Sequence, residues 1–292
     1  MSSTGIRGLR PADSLNLLFL LFLMLVTAVF YRRIGDPFQL ITLYSGLIFL
    51  QIVLIKNRER NGLLKLTYDL LFPTACILLV FDSLEGLVHY INPRDIDPLL
   101  IKLDYLLFKG HPTVMLEGIM RPLLTDILQA AYSSYYFLPV TLGVVLWVRK
   151  EDKAFDRSLF LIMLCFYLSY AGYMLMPAIG PRFTMDHLQH KNLEGLFITA
   201  PLQEMLNRLE GVKRDAFPSG HTAITLTVVY LAWRFEKKLF SVFLPVGLAL
   251  IVSTVYCRYH YVVDVLGGVA LALITIVLGE KYYGYRADDT GH

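Results

Sequence analysis

The sequence predicts an all-α fold, a polytopic membrane helix bundle of about eight transmembrane helices with a six-helix core. Three observations carry that expectation. Hydrophobic residues make up 55% of the 292 and charged residues only 17%, with a mean hydropathy of +0.53, which leaves too little polar surface for a soluble chain of this length. The apolar residues gather in runs long enough to cross a hydrocarbon core of about 30 Å as helices. Basic residues gather in the short connections between alternate runs, where membrane topology places them. A formal net charge of +3 is too small to point to a nucleic-acid partner, so the partner implied is the lipid bilayer.

The first run, Leu15 to Tyr31, follows Arg7 and Arg10 as a signal sequence would, but no small-residue cleavage pattern closes it, which makes it an uncleaved anchor. Phe38 to Ile55 is the second, and residues 1–65 hold this N-terminal pair. The core, residues 66–284, opens with Leu66 to His89. This third run carries Asp69, Asp82, Glu85 and His89, the last three at i, i+3 and i+7 on one helix face. Ionisable groups inside a membrane segment are functional candidates, and Asp82 and Glu85 are placed in a possible headgroup pocket. Residues 90–128, with four prolines and mixed charge, suit amphipathic helices lying at the membrane interface. Gln129 to Val148 is the fourth run, with Tyr132, Tyr135 and Tyr136 as an aromatic belt near its surface end. Leu159 to Leu175, Ala223 to Phe235, Phe240 to Cys257 and Val262 to Leu278 complete the set, and residues 285–292 form a short polar tail. Cys76, Cys165 and Cys257 all fall inside spans, so neither a disulfide framework nor a cysteine metal site is expected.

Lys56, Arg58, Arg60 and Lys65 follow the second span, Arg149, Lys150, Lys153 and Arg157 the fourth, and Arg234, Lys237 and Lys238 the sixth. Alternating spans put all three groups on one side, the cytoplasmic one. The segments Ile179 to Pro218 and Arg258 to Tyr261 then face the periplasm, the cell exterior or a lumen; Arg32 and Arg33 count against this by fewer charges.

Two polar segments interrupt the apolar background: Phe217-Pro218-Ser219-Gly220-His221-Thr222 and, 39 residues beyond His221, His260-Tyr261-Val262-Val263-Asp264. The first puts a histidine after a Ser-Gly turn, where N–H groups at a helix start can face an anion. The second puts a carboxylate one helical turn beyond a histidine, close enough to orient its ring. Taken singly, the first is most often a turn that starts a helix and the second a local helix pair. Together on one membrane face, with arginines nearby, they supply what phosphoryl transfer through a histidine requires. His187 and His190 stand at i, i+3 without further carboxylate or cysteine ligands and read as incidental.

These residues resemble the type 2 phosphatidic acid phosphatase superfamily of integral membrane enzymes, and within it the branch that includes inositol phosphorylceramide synthase. Pro218-Ser219-Gly220-His221 matches the second family motif; Ser253, His260 and Asp264, with Gly268 four residues on, match the third. The first motif is absent, because Arg121-Pro122 lacks a lysine at position 114. In its place Pro177-Ala178-Ile179-Gly180-Pro181-Arg182 resembles the proline-rich segment of the synthase-like branch. Thr254 stands where the superfamily has arginine, again as in that branch, and Arg258 lies two residues before His260. Gly220 is as in the phosphatases, where the synthase has leucine. Asp104 to Thr113 resembles the segment preceding the core in bacterial members, and the resemblance as a whole covers residues 66–280.

The resemblance implies a membrane lipid phosphate as substrate and no metal or cofactor. It makes His260 the nucleophile that becomes phosphohistidine, Asp264 the acceptor of a hydrogen bond from its other ring nitrogen, and His221 the acid that protonates the leaving alkoxide and then deprotonates the incoming acceptor. Phosphate-binding candidates are Arg182, Arg258, Ser219 and the N–H groups of Gly220 and His221, with Lys213 and Arg214 behind them. The acceptor stays open. Gly220 and the small size favour water; Thr254, Pro181-Arg182 and the 39-residue spacing favour a lipid hydroxyl. A reading from another class, a lipid transporter or scramblase using Asp69, Asp82 and Glu85 as a charge path, predicts flux that survives loss of both histidines.

Overall fold

A computed structural model of the chain describes residues 9–209 and 214–289. Among these the fold is helical throughout, with a single isolated bridge between Ala178 and Asp215 and no strand. In chain order the helices are α1 (Pro11–Val29), α2 (Pro37–Asn57), α3 (Gly62–Ser83), α4 (Glu85–Ile91), α5 (Asp97–Phe108), α6 (Pro112–Met115), α7 (Pro122–Val148), α8 (Asp152–Leu175), α9 (Pro181–Thr184), α10 (Thr199–Leu209), α11 (Gly220–Phe235), α12 (Lys237–Tyr256) and α13 (Val262–Asp289). Proline opens α1, α2, α6, α7 and α9, where its missing N–H costs no helical hydrogen bond.

Seven of these helices, α1, α2, α3, α7, α8, α12 and α13, are long and apolar enough to cross a membrane. The expected sixth span is α11, with 16 residues, about 24 Å of helix and shorter than a full crossing. It lies at the centre of the bundle, against α8, α12 and α13, and runs from the histidines to Arg234 and Glu236 at the end where the basic connections meet. Other boundaries move too: α7 starts at Pro122 rather than Gln129, and residues 285–289 continue α13 rather than forming a separate tail.

The N-terminal pair is part of one core rather than an appendage. A single apolar cluster runs from Ala12 and Leu23 on α1 through Tyr44 on α2 to Leu161 and Val228 on α8 and α11. Polar contacts reinforce it: Arg10 donates to Asp69 (2.8 Å) and Asp156 (3.3 Å), Trp147 Nε1 donates to the other Asp69 oxygen (2.9 Å), and Asn16 donates to Gln51 (2.9 Å). Asp69 is thus held in an ion pair at the end of the bundle where the basic connections meet. Arg149 pairs there with Glu236, and Arg157 and Arg234 both pair with Glu280. Asp82 lies 13 residues further along, about 20 Å of helix, and like Glu85 it is exposed. The three acids do not form the charge path that a transporter reading needs.

Of residues 90–128, expected as one interfacial segment, the first two end α4 and 122–128 open the spanning helix α7; between them lie α5, α6 and a 3₁₀ turn over Leu116–Ile119. Asp97, Leu100 and Asp104 point inward from α5 while Leu99, Leu106 and Phe108 stay exposed, the two-faced pattern the composition suggested. The two inward carboxylates build the site above them.

Candidate active site

Each histidine is positioned by the end of a helix. Ser219 caps α11, its Oγ accepting from Thr222 N at 3.3 Å, which sets His221 in the first turn. α12 ends in a Schellman turn: Arg258 takes the left-handed conformation (φ 64°), its N–H donates to the Val255 carbonyl (3.0 Å), and Tyr259 N–H reaches the Thr254 carbonyl (2.9 Å). His260 N–H donates to the same Thr254 oxygen at 3.0 Å, which delivers its ring to the start of α13.

The two motifs then lock together. Ser219 N–H donates to the Asp264 carbonyl at 3.0 Å, and a Cβ on Gly268 would stand 2.5 Å from the Ser219 oxygen, so only glycine lets α13 approach the motif this closely. Asp264 Oδ2 accepts from Tyr261 N–H at 2.9 Å. From α5, Asp104 accepts Val262 N–H (3.0 Å) and Val263 N–H (2.9 Å), and Asp97 accepts Gly180 N–H (2.8 Å), Ile179 N–H (2.9 Å) and the Tyr261 hydroxyl (2.9 Å). Burial pushes the Asp104 pKa up, and its two N–H donors oppose that rise. Gly180 sits at φ 99°, a left-handed conformation that suits glycine, and aims the Pro181-Arg182 turn.

Asp104→Ala is therefore expected to leave two partly buried N–H groups without their acceptors and to destabilise the protein by at most about 1–3 kcal/mol for each. Asp104→Asn, which keeps a carbonyl oxygen, should lose less. Unfolding midpoints in detergent check this, and an unchanged midpoint for the alanine variant would contradict the scaffold role.

Within this frame the rings of His221 and His260 meet, His260 Nε2 lying 3.4 Å from His221 Nδ1. His260 Nδ1 is 2.8 Å from the Ala216 carbonyl and 3.4 Å from Asp264 Oδ2. The expected Asp264 contact is present at 3.4 Å, but the shorter partner is the carbonyl. A carbonyl only accepts, so Nδ1 carries the proton and the neutral ring keeps its lone pair on Nε2. Tyr132, expected in a surface belt, is instead buried and stacks on His221 with centroids 4.4 Å apart; Tyr135 packs on the same ring at 4.1 Å. Tyr259 stacks on Tyr132 at 4.1 Å, and the Arg182 guanidinium lies 5.8 Å from the Tyr259 centroid. Asp215, next to the Ala216 carbonyl, has its carboxyl pushed up to about 6 by burial, against the pull of His260.

The structure thus gathers His221, His260, Asp264, Ser219 and Gly220, with Arg182 joined to them through the aromatic stack. It does not bring Arg258 in: Arg258 Nη2 donates to Glu117 Oε1 and to the Lys191 carbonyl, both at 2.7 Å, and the side chain is buried. Burial lowers its pKa and Glu117 counters that, so its charge is already balanced within the protein. Arg214 is likewise engaged, with Asp95 (2.5 Å) and the His89 ring (3.2 Å). Asp82 and Glu85 are exposed and are not among the side chains packed around the histidines. Lys213 lies outside the described residues.

Sequence reasoning missed Asp97, Asp104, the Ala216 carbonyl and the Tyr132 stack. For the two acids a signal existed: they stand seven residues apart, on one face of an otherwise amphipathic segment.

The sequence pattern of the PAP2 superfamily matches residues 99–278, from α5 into α13. A PA-phosphatase related-family protein of Dictyostelium discoideum is 23% identical over 187 residues, covering 57% of this chain and 34% of that relative. The chain spans about a third of that curated relative's length. No solved structure matches. The matched region contains both histidines, Asp264 and Asp104, with Asp97 just before its start, and on that match over more than half of its length the chain belongs to the PAP2 superfamily.

Proposed function

We propose that the chain is an integral membrane lipid phosphate phosphatase, cleaving a lipid phosphate ester or diphosphate through a phosphohistidine on His260, with water as the acceptor. The observation that carries this reading is the His260 ring: Nδ1 donates to Ala216, which leaves the Nε2 lone pair facing the second histidine. Nε2 attacks phosphorus, the bond from phosphorus to the lipid oxygen breaks, and His221 gives its proton to the departing oxygen. His221 then takes a proton from water, whose oxygen attacks the phosphohistidine; the P–N bond breaks and inorganic phosphate leaves. At 3.4 Å the two nitrogens are too close to hold phosphorus between them, so the rings must part as substrate enters. Arg182 and the first N–H groups of α11, set by the Ser219 cap, stabilise charge on the phosphoryl oxygens.

Water is favoured over a lipid hydroxyl by Gly220, which the phosphatases carry where the synthase has leucine; the Tyr173 hydroxyl occupies the space a larger residue would need there. Transfer of a phospho-headgroup to a lipid hydroxyl, as in inositol phosphorylceramide synthase, is the second reading. It is favoured by Thr254, whose hydroxyl donates to the Ile251 carbonyl (2.7 Å) and offers no charge to the site. The basic connections at the opposite end of the bundle support a site on the periplasmic, extracellular or luminal face.

The deciding experiment supplies purified protein with a panel of lipid phosphates and diphosphates, and with phosphatidylinositol with and without ceramide. Free phosphate is expected, in EDTA as well as without it, and inhibited by orthovanadate, whose trigonal-bipyramidal geometry imitates the transferring group. New phospholipid in place of free phosphate selects the second reading, and activity lost in EDTA and restored by a divalent cation refutes the arginine-based mechanism.

A further inference from the structure

Asp126 lies in the first turns of the membrane-crossing helix α7, four residues or about 6 Å along its axis from Pro122. Its buried carboxylate accepts five hydrogen bonds from one segment of the long loop between α8 and α11: Leu196 N–H (2.9 Å), Phe197 N–H (2.9 Å), Ile198 N–H (3.3 Å), Thr199 N–H (3.0 Å) and the Thr199 hydroxyl (2.6 Å). A charge-assisted cradle of this kind fixes backbone position strongly. The residues it fixes are apolar and point outward. Phe197 is 80% exposed and Leu196 53%, an arrangement that water alone would penalise. Leu123 and Ile127, which flank Asp126 on α7, are also exposed, as lipid-facing residues of a spanning helix are. The exposed tripeptide therefore continues, at the same depth, the surface that α7 turns to the bilayer.

We propose that Leu196, Phe197 and Ile198 form a wedge seated in the lipid leaflet beside the active site, held at that depth by Asp126. Resting on the phosphatase reading, the same wedge marks the side from which a lipid phosphate reaches the histidines. The face of α7 that carries Asp126 also carries Gln129, which donates to the Tyr259 hydroxyl (2.8 Å), and Tyr132, which stacks on His221. Six residues separate Asp126 from Tyr132, about 9 Å along the helix. The wedge therefore sits at the outer end of a buried polar and aromatic helix face whose inner end packs on His221.

The test uses the full chain in liposomes, in a background lacking Cys76, Cys165 and Cys257. An environment-sensitive fluorophore is attached to Phe197→Cys or, as an aqueous reference in the same loop, to Asn192→Cys. The Phe197 probe is expected to be quenched by lipids spin-labelled high on the acyl chain and shielded from aqueous cobalt, with the opposite pattern at Asn192. Equal cobalt quenching at both positions would overturn the wedge. For the route, Phe197→Asp should raise the KM for a vesicle-borne lipid phosphate about tenfold, the loss of one buried aromatic anchor, and leave hydrolysis of a short-chain, water-soluble phosphate unchanged. Equal effects on both substrates would overturn it. Wild-type protein that hydrolyses neither substrate would defeat the phosphatase reading, while the quenching pattern would still decide the wedge.

Discussion

His260→Ala is expected to abolish turnover, by at least about 10⁴-fold, and to leave no phosphoenzyme in rapid-quench labelling with a radioactive lipid phosphate. The size follows from the ring's role: without Nε2 there is no imidazole nitrogen beside His221 to receive the phosphoryl group. His221→Ala should behave differently. It removes a proton donor, so the loss should be large for lipid alkoxides and small for substrates whose leaving group is already a weak base, with labelling retained. Asp264→Asn separates two contributions. The Ala216 carbonyl, nearer to Nδ1 than Asp264 is, should keep the tautomer, so the variant should fold and lose the charge that balances the phosphorylated ring. Wild-type labelling of the His260 variant would reject the nucleophile.

The helical class and both histidine motifs were legible in the sequence because they rest on local pattern. Apolar run length reports a spanning helix, and Pro-Ser-Gly-His with Ser219 as cap is a helix start whatever surrounds it. What could not be read depends on distant pairings. Arg258 lies two residues before His260, and proximity in sequence made it a phosphate ligand; its direction is decided by Glu117, 141 residues away. Tyr132 obeyed the composition of an aromatic belt, yet the turn at Ser134–Tyr136 and the approach of Tyr259 bury it against His221. The tautomer of His260 is set by a backbone carbonyl, and a carbonyl has no identity in a sequence. The sixth span, read as Ala223 to Phe235, ends where α11 ends and starts three residues later than α11 does, because the Ser219 cap brings Gly220 and His221 into the first turn.

Arg182 and Arg258, equivalent from sequence, are expected to separate by effect. Arg182→Ala should lower kcat about 10²-fold to 10³-fold, the usual cost of one preorganised donor to transition-state charge, with little change in unfolding temperature. Arg182→Lys should recover part of the charge but not bidentate binding of phosphate. Arg258→Ala should instead strand a buried Glu117 carboxylate and destabilise the fold by about 3–5 kcal/mol, whereas replacing both partners by methionine should restore much of that stability. Unfolding temperature in detergent and kcat on a water-soluble phosphate distinguish the outcomes. A thousandfold loss of kcat in Arg258→Ala at unchanged stability would return Arg258 to the phosphate cradle. A stability loss without a kinetic one in Arg182→Ala would make the aromatic stack a strut and leave the charge of the transferring group to the N–H groups at the start of α11. The double methionine variant closes the remaining gap: because Glu117 also accepts from His190 N–H at 3.0 Å, any activity it regains shows that the ion pair serves the loop's position and not the chemistry.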